Sequence, residues 1–284
     1  MHPQNPGVVI TTYNSPLWLS KVLMGYEVQS TPDFRVIIAD DGSTDDTRQV
    51  IETFRTRGRL TIDHVWHEDQ GFRKCQILNK AIRETDCDYL IFTDGDCIPE
   101  PDFIATHVRL ARPGHFLSGG YIKLTMPVSE LIGEDHIRSG EIFRADWLVQ
   151  HGQPKNHKLW KLADSQRFRD FMNWVTPAAA SWNGMNSSTW TEDLRAVNGF
   201  NEDMQYGGLD RELGERLWNY GHKSIQIRYS TVCLHLDHAR GYSKPEIWAR
   251  NRAIRKAVKQ QRITWAQHGI EPPAAGTNEQ PKGQ

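Results

Sequence analysis

The stretch "YLIFTDGDCIP", from Tyr89 to Pro99, decides the fold, because an apolar run passes directly into two acidic residues. Its first four residues are rich in β-formers, which predicts a strand buried on both faces. Asp94 and Asp96 follow, with Gly95 between them. Two carboxylates this close cannot both be buried uncompensated, and Mg²⁺ or Mn²⁺ would compensate them. The stretch therefore predicts a metal site, with an Asp-Gly turn before a helix N-cap as the alternative.

Strand and helix patterns alternate around this stretch throughout the first half of the chain. The predicted strands are "GVVITTYN", "FRVIIADDGS", "LTIDHVWHE", "YLIFTDGD" and "HFLSGGYIKL", and the predicted helices begin at Ser15-Pro16, at "DDTRQVIETFRT" and at "RKCQILNKAIRET". This alternation predicts an α/β fold with a mostly parallel sheet covered on both faces. Such sheets bind ligands at the carboxyl ends of their strands. Polar residues at three strand ends, Thr11–Tyr13, Asp40–Asp41 and Asp94–Asp96, should therefore meet at one edge.

The second half is less regular, and it divides the chain into predicted units. Residues 1–125 form the first half of the sheet domain, and residues 126–243 form a second half that contains a long loop at about 128–172. Helices are predicted from Leu209 to about Tyr220 and over residues 244–266, with a strand at "SIQIRYSTVCLHLDH" between them. The composition of residues 267–284 predicts a disordered tail.

Two later segments carry groups that could complete a metal or catalytic site. His235 and His238 lie in "VCLHLDHARGY", where they are either Mn²⁺ ligands or two partly exposed histidines at a strand end. Asp210 follows Gly207-Gly208 in the first turn of a predicted helix. Asp210 could act as a general base, although an acid that complements the helix dipole is the simpler interpretation of that segment alone.

Composition excludes several classes of protein. The 284 residues include 34 Lys+Arg and 35 Asp+Glu, so no overall charge favours nucleic acid. No apolar run approaches the roughly 18 residues of a membrane span, and the first residues do not resemble a signal peptide. Four scattered cysteines favour reduced thiols, so we expect a cytoplasmic protein. Sequence motifs of P-loop, dinucleotide-binding and serine-hydrolase sites are absent.

The predicted helix at residues 244–266 is strongly basic. It carries Trp248 and Trp265 beside many arginines and lysines, with Glu246 as its only acid. One interpretation is peripheral contact with an anionic membrane, here the inner face. The other is an apolar stripe docked on the domain, with a solvated basic face.

Together these segments resemble glycosyltransferases of the GT-A fold, of the inverting family 2 type. The resemblance is carried by "VVITTYN…IIADDGSTDDT…LIFTDGDCIP", over roughly residues 7–125. The later segment "NGMNSSTWTEDLRAVNGFNEDMQYGGLDRELGERLWNYGH" is similar to a module of β-1,4-galactosyltransferases and of bacterial chondroitin-type polymerases. The resemblance implies a Rossmann-like sheet flanked by helices, with an elaborated acceptor-side half.

The resemblance also implies a role for individual residues. Those implied for nucleotide and donor binding are Thr11, Tyr13, Asp41, Arg73, Asp94, Gly95 and Asp96. Those implied as metal ligands are Asp94, Asp96 and His235, with His238 as the substitute. Asp210 matches the catalytic base, and the segment lining the donor sugar and acceptor is matched by Trp182, Asn186, Gly207 and Gly208. In one departure, Leu209 stands where the family has an acid, which leaves the identity of the sugar open.

The implied activity depends on Mn²⁺ or Mg²⁺ and transfers a sugar with inversion. The donor would be a nucleotide diphosphate sugar, expected to carry UDP, and the acceptor a hydroxyl of a glycan or lipid-linked glycan. Synthesis of a bacterial surface polysaccharide is the expected setting. The alternative is a non-catalytic protein that binds nucleotide sugars or glycans on the same scaffold. A sugar-nucleotide pyrophosphorylase would need a glycine-rich basic loop where "TTYNSPLW" stands.

Overall fold

The strands of the molecule form one mixed sheet. The computed structural model describes residues 2–177, 179–238 and 245–271. The strands within these ranges are β1 Pro6–Thr12, β2 Arg35–Asp40, β3 Thr61–Trp66, β4 Tyr89–Asp94, β5 Cys97–Pro99, β6 His115–Lys123, β7 Ser187–Trp190 and β8 Lys223–His235. Their order across the sheet is β3-β2-β1-β4-β7-β6-β8-β5. The sheet thus includes strands from both predicted halves of the chain.

Helices cover the sheet and connect most of its strands. They are α1 Pro16–Glu27, α2 Asp45–Arg57, α3 Lys74–Glu84, α4 Phe103–Leu110, α5 Met126–Leu131, α6 Glu134–Ser139, α7 Ala145–Gln150, α8 Gln166–Val175, α9 Thr191–Ala196, α10 Leu209–Tyr220 and α11 Pro245–Gln261. Short 3-10 helices lie at Glu141–Phe143 and His157–Leu162. None of the helices in the described ranges is long and apolar enough to cross a bilayer.

The first half of the sheet is parallel, as its continuous apolar strands predicted. β1 pairs in parallel with β2 on one side and with β4 on the other, and β3 extends the sheet beyond β2. The register places Thr11 opposite Asp94 and Thr12 opposite Asp40. The polar ends of these strands therefore meet at one edge.

The second half of the sheet brings the late histidines to the acidic pair. β7 runs antiparallel between β4 and β6, and the short β5 pairs antiparallel with the end of β8. Because β5 begins directly after Asp96, its first residue, Cys97, lies opposite His235. This pairing brings together residues that are more than a hundred positions apart in the sequence.

Two apolar layers lie on the two faces of the sheet. Val8 and Ile10 of β1 belong to one layer, and Val9 between them belongs to the other. This division follows from the two-residue period of a strand. The first layer packs under α1 and α2, and the second packs under α3, α9 and α10.

Two sequence expectations differ from the structure. The predicted loop at 128–172 contains α5 to α8 and both 3-10 helices, and buried side chains such as Val128, Ile142 and Leu148 fix it to the first layer. The predicted tail at 267–284 begins with residues that are packed, since Ile270 is buried in the second layer. Residues 272–284 lie outside the described residues.

Candidate active site

Asp94, at the end of β4, lies at the centre of the polar edge. Its Oδ1 accepts hydrogen bonds from Thr11 Oγ1 at 2.7 Å and from Lys74 Nζ at 2.6 Å. Gly95 follows because the end of β1 approaches closely there, and a Cβ at this position would lie 2.9 Å from the Thr11 carbonyl oxygen. The end of β4 is thus held by contacts with the end of β1 and with the start of α3.

Lys74, which the sequence analysis did not single out, connects the acids of the site. It is the first residue of α3, and its ammonium group lies among Asp94, Asp96 and Asp210. Burial opposes its charge, but Asp94 and Asp210 outweigh burial and raise the pKa of Lys74 above its ordinary value. The lysine therefore stays charged and offsets part of the negative charge of the site.

Asp210 lies in the first turn of α10 with one carboxylate oxygen unused. Its Oδ1 is buried and has no hydrogen-bond partner among the described residues. The same oxygen packs on Gly184, where a Cβ would lie 2.6 Å from it. Burial raises the pKa of Asp210 to about 6, with the Lys74 charge opposing and the Asp94 charge adding to the shift. A carboxyl with this pKa is suited to accept a proton near neutral pH.

Asp96 forms a compact group with the two late histidines. Its Oδ2 lies 3.1 Å from His238 Nε2 and 3.9 Å from His235 Nε2, and the two imidazole rings are stacked. Burial works to raise the pKa of Asp96, but the hydrogen bond from His238 and the charges of both histidines lower it below its ordinary value. The carboxylate is therefore ionised at neutral pH.

This group has the composition and spacing of a metal site. The ligand atoms of Asp96, His235 and His238 lie within 4.8 Å of one another, and a second such group consists of Asp94, Asp96 and Cys97. His235 Nδ1 donates to the Leu236 carbonyl oxygen at 2.7 Å, and this hydrogen bond orients the ring with its other nitrogen, Nε2, toward Asp96. A carboxylate and imidazole set suits Mn²⁺. The residues present therefore fit the predicted ion, and both histidines are within reach of it.

The residues predicted to bind the nucleotide lie at the ends of β1 and β2. Asp41 is buried and accepts hydrogen bonds from the Arg73 backbone N–H at 3.0 Å and from His67 Nε2 at 2.7 Å. Tyr13 is exposed, and its hydroxyl donates to Asp69 at 2.9 Å. The Arg73 guanidinium hydrogen-bonds with the Glu68 carbonyl oxygen and with the Gln76 side chain. Lys74, not Arg73, thus provides the cation that contacts Asp94.

Trp182 and Asn186, two of the residues predicted to line the sugar site, both have buried side chains. The ring of Trp182 is fully buried, although Trp182 also lines a cavity beside Asp210. Asn186 is fully buried as well, and its amide donates to the Gly120 carbonyl oxygen at 2.7 Å and contacts His107. The structure therefore does not bring the Asn186 side chain to the surface of the site, because that side chain bridges strands inside the sheet.

Gly207 and Gly208 are required by the backbone at the start of α10. Their φ angles are +106° and +85°, a conformation that residues with a Cβ rarely adopt. The indole ring of Trp248 also packs directly on Gly207, where a Cβ would lie 2.9 Å from it. Leu209, which stands where the family has an acid, is buried in the second apolar layer. Its side chain is therefore a core residue and does not replace the family's acid in the site.

Comparison with known proteins gives relatives of one kind. Residues 7–123 match the family Glycosyl transferase family 2. Validoxylamine A glucosyltransferase of Streptomyces hygroscopicus subsp. jinggangensis (strain 5008) is 32% identical over 230 residues, which cover 75% of this chain and 51% of that protein. The chain thus spans about half the length of such curated relatives.

Solved structures share the fold at low sequence identity. S. aureus TarS 1-349 in complex with UDP-GlcNAc has a TM-score of 0.60 at 15% identity, covering 92% of this chain and 70% of that one. The mannosyltransferase PcManGT of Pyrobaculum calidifontis, in complex with GDP-Man and Mn²⁺, has a TM-score of 0.56 at 20% identity, covering 93% and 63%. The fold class and the family predicted from the sequence are confirmed. Through residues 7–123 the chain belongs to the glycosyl transferase family 2, and it has the GT-A fold.

Proposed function

We propose that the chain catalyses the metal-dependent transfer of a sugar, with inversion, from a nucleotide diphosphate donor to a hydroxyl of a glycan or lipid-linked glycan. The observation that carries this proposal is Asp210, a buried carboxylate with a partnerless oxygen whose charge is coupled through Lys74 to Asp94. A purely binding protein has no need of such a base. UDP is the proposed nucleotide, since the structural neighbour TarS was solved with UDP-GlcNAc.

Each acid has a separate task in this proposal. Asp96, His235 and His238 would hold the ion, with Asp94 beside them. A bound Mn²⁺ or Mg²⁺ would supply Lewis-acid stabilisation of the diphosphate leaving group. Lys74 would hold Asp94 in place and add positive charge where the diphosphate charge develops.

Asp210 would act on the acceptor. Its unpartnered oxygen would accept the proton of an acceptor hydroxyl while the hydroxyl oxygen attacks the anomeric carbon. The bond to the diphosphate oxygen breaks on the opposite face, the electron pair leaves with the nucleotide, and the configuration inverts. General base catalysis of this type contributes about 10²–10⁴-fold to the rate.

The role in surface polysaccharide synthesis and the location at the membrane are part of the proposal. Asn251 of α11 donates to the Gly207 carbonyl oxygen at 2.7 Å, and Arg255 and Lys259 pair with Glu215 of α10. These contacts support a helix docked on the domain. Arginines and lysines on its exposed side leave peripheral membrane contact as a prediction for co-sedimentation with anionic vesicles.

The test is calorimetric titration of UDP with and without Mn²⁺, followed by donor hydrolysis. Asp96→Asn should weaken the Mn²⁺-dependent binding of UDP by at least about 10-fold. Asp193→Asn is the matched control, because Asp193 forms another Asp–His pair, with His222 at 3.1 Å, and follows β7 near the amino end of β4. Equal UDP affinity with and without Mn²⁺, or in Asp96→Asn and the parent chain, would contradict the proposal.

A further inference from the structure

A cavity of about 430 Å³ lies beside the proposed base. It is bounded by β6, by β8, by the 3-10 helix at His157–Leu162 and by the start of α10. The described residues that line it are Gly119, Gly120, Tyr121, Lys123, Lys158, Lys161, Ser181, Trp182, Asn183, Arg211 and Arg228. Small-molecule sites commonly have volumes of roughly 300–1,000 Å³, so the cavity is large enough for a ligand.

The lining of this cavity is strongly basic. It includes five lysines and arginines and, among the described lining residues, no aspartate or glutamate. Lys161 Nζ donates to the Tyr121 carbonyl oxygen at 2.9 Å, and Arg228 donates to the Ala179 carbonyl oxygen at 2.8 Å. Burial, together with the charges of Arg228 and Lys158, lowers the pKa of Lys161 to about 8. Among the described lining residues, no aspartate or glutamate offsets the charges of Lys158, Lys161 and Arg228.

An irregularity in the pairing of β6 and β8 places one of these charged residues, Arg228, beside the cavity. The β6–β8 register shifts between Gly119, opposite Ile227, and Gly120, opposite Val232, so the intervening residues of β8 leave the regular ladder. Such irregularities re-aim side chains beside active sites. Arg228 is the first residue of this unpaired segment. The glycines cannot carry side chains, since a Cβ at Gly120 would lie 2.2 Å from the Arg228 carbonyl oxygen.

The cavity adjoins Asp210, and one of its lining residues, Lys123, lies opposite the predicted metal ligand His235 in the β6–β8 register. Arg211 directly follows Asp210, and Asn183 directly precedes Gly184, on which the Asp210 Oδ1 packs. None of the residues predicted to bind the nucleotide or the metal lines the cavity. The position therefore favours the acceptor over the donor diphosphate.

We propose that this basic cavity binds an anionic group, a carboxylate or phosphate, on the saccharide acceptor and so directs a neighbouring hydroxyl toward Asp210. The inference rests on the proposed function and adds the chemical class of the acceptor to it. Guanidinium and ammonium groups are the usual partners of carboxylates and phosphates, and clustered like charges are unfavourable without an anion. A neutral acceptor would bring no negative charge to this cavity.

The experiment compares glucuronate, glucose 6-phosphate, glucose and inorganic phosphate as probes of the metal-free full chain in EDTA. Binding is followed by ligand-observed NMR. At least one of the two acidic sugars should bind about tenfold or more tightly than glucose, because charge-assisted hydrogen bonds are involved. Lys158→Gln and Arg228→Gln should each weaken that binding severalfold. The matched control is Lys155→Gln, an exposed lysine before the same 3-10 helix that is not part of the lining.

Four results would overturn the inference. Glucose could bind as well as the acidic sugars, or both variants could bind them like the Lys155→Gln control. Inorganic phosphate could bind more tightly than either acidic sugar, which would show an anion site without a saccharide component. In a parallel titration without EDTA, UDP with Mg²⁺ could displace the probes, which would place them in the donor site. UDP titration itself reports separately on the proposed function, so the two proposals can fail independently.

Discussion

Replacing Asp210 by asparagine should stabilise the fold while it removes the proposed base. Burial is the main reason that the pKa of Asp210 is raised from 3.8 to about 6 in the folded chain. The folded state therefore binds this proton more tightly than the unfolded state does. Above pH 6 the carboxyl is ionised in both states, and its ionised form opposes folding.

The size of the effect follows from the pKa difference. Each pKa unit corresponds to about 1.4 kcal/mol, so a shift of about two units is worth about 3 kcal/mol. The pKa of about 6 already includes the attraction to Lys74, but asparagine brings an amide NH₂ group that would be buried at the same place, which reduces the gain. We therefore expect Asp210→Asn to raise the free energy of unfolding by about 1–3 kcal/mol at pH 8. The gain should shrink as the pH falls through 6 and vanish below about pH 4.

Urea unfolding of the metal-free chain at pH 8 and at pH 4.5 measures this difference. Asp46→Asn, an exposed acid in the first turn of α2, is the control and should show no pH-dependent gain. Turnover of Asp210→Asn should fall by about 10²–10⁴-fold while UDP affinity stays near that of the parent chain. A variant that is no more stable at pH 8, or equally more stable at both pH values, would refute the electrostatic reasoning. Near-parental turnover would refute the assignment of the base.

Two further predictions concern stability. Arg169→Met should lower the free energy of unfolding by about 1–3 kcal/mol at pH 8.5, because Glu100, 3.0 Å from the guanidinium, would lose its counter-charge and could stay buried only by taking up a proton. Burial raises the pKa of Glu100 to about 7, so urea unfolding should show a smaller loss of stability at pH 5.5, where this carboxyl is protonated. Arg167→Met, at an exposed arginine, is the control, and an equal loss of stability in this variant would contradict the explanation. Ile270→Ala should lower the free energy of unfolding by about 2–4 kcal/mol, because this side chain is buried in the second apolar layer. An unchanged thermal unfolding temperature would show that the residue does not belong to the core.

The parallel half of the fold could be predicted because its strands are continuous apolar runs. Three of them, β1, β2 and β4, also end at polar residues, so their common edge could be expected from the sequence. The short helices α5 to α8 could not be predicted in this way. Buried anchors such as Leu148 and contacts with β8 hold them, and these long-range contacts leave no local period. Ile270 was missed for the same reason, since a single buried side chain follows a polar turn.

The acids of the candidate site could be predicted from the sequence, but the lysine that offsets part of their charge could not. Asp94, Asp96 and Asp210 are conspicuous in the sequence because each follows a strand or a glycine turn. Lys74 has no comparable signal, since Arg73 beside it is equally basic and only the start of α3 decides which side chain reaches Asp94. Asn186 shows the opposite case, where a residue in a matching segment is buried by its contacts with β6.

The balance of charge gives a physical reason for the metal requirement in the proposed function. Three carboxyl groups, those of Asp94, Asp96 and Asp210, lie around one ammonium group, that of Lys74. The acids outnumber this cation, and a divalent metal ion would offset the excess negative charge. Burial is the main cause of the raised pKa of Asp210, and the neighbouring Asp94 charge adds to the shift. A cation held beside Asp94 would offset the Asp94 charge and so lower the pKa of Asp210, which means that cation binding and ionisation of the proposed base would favour each other.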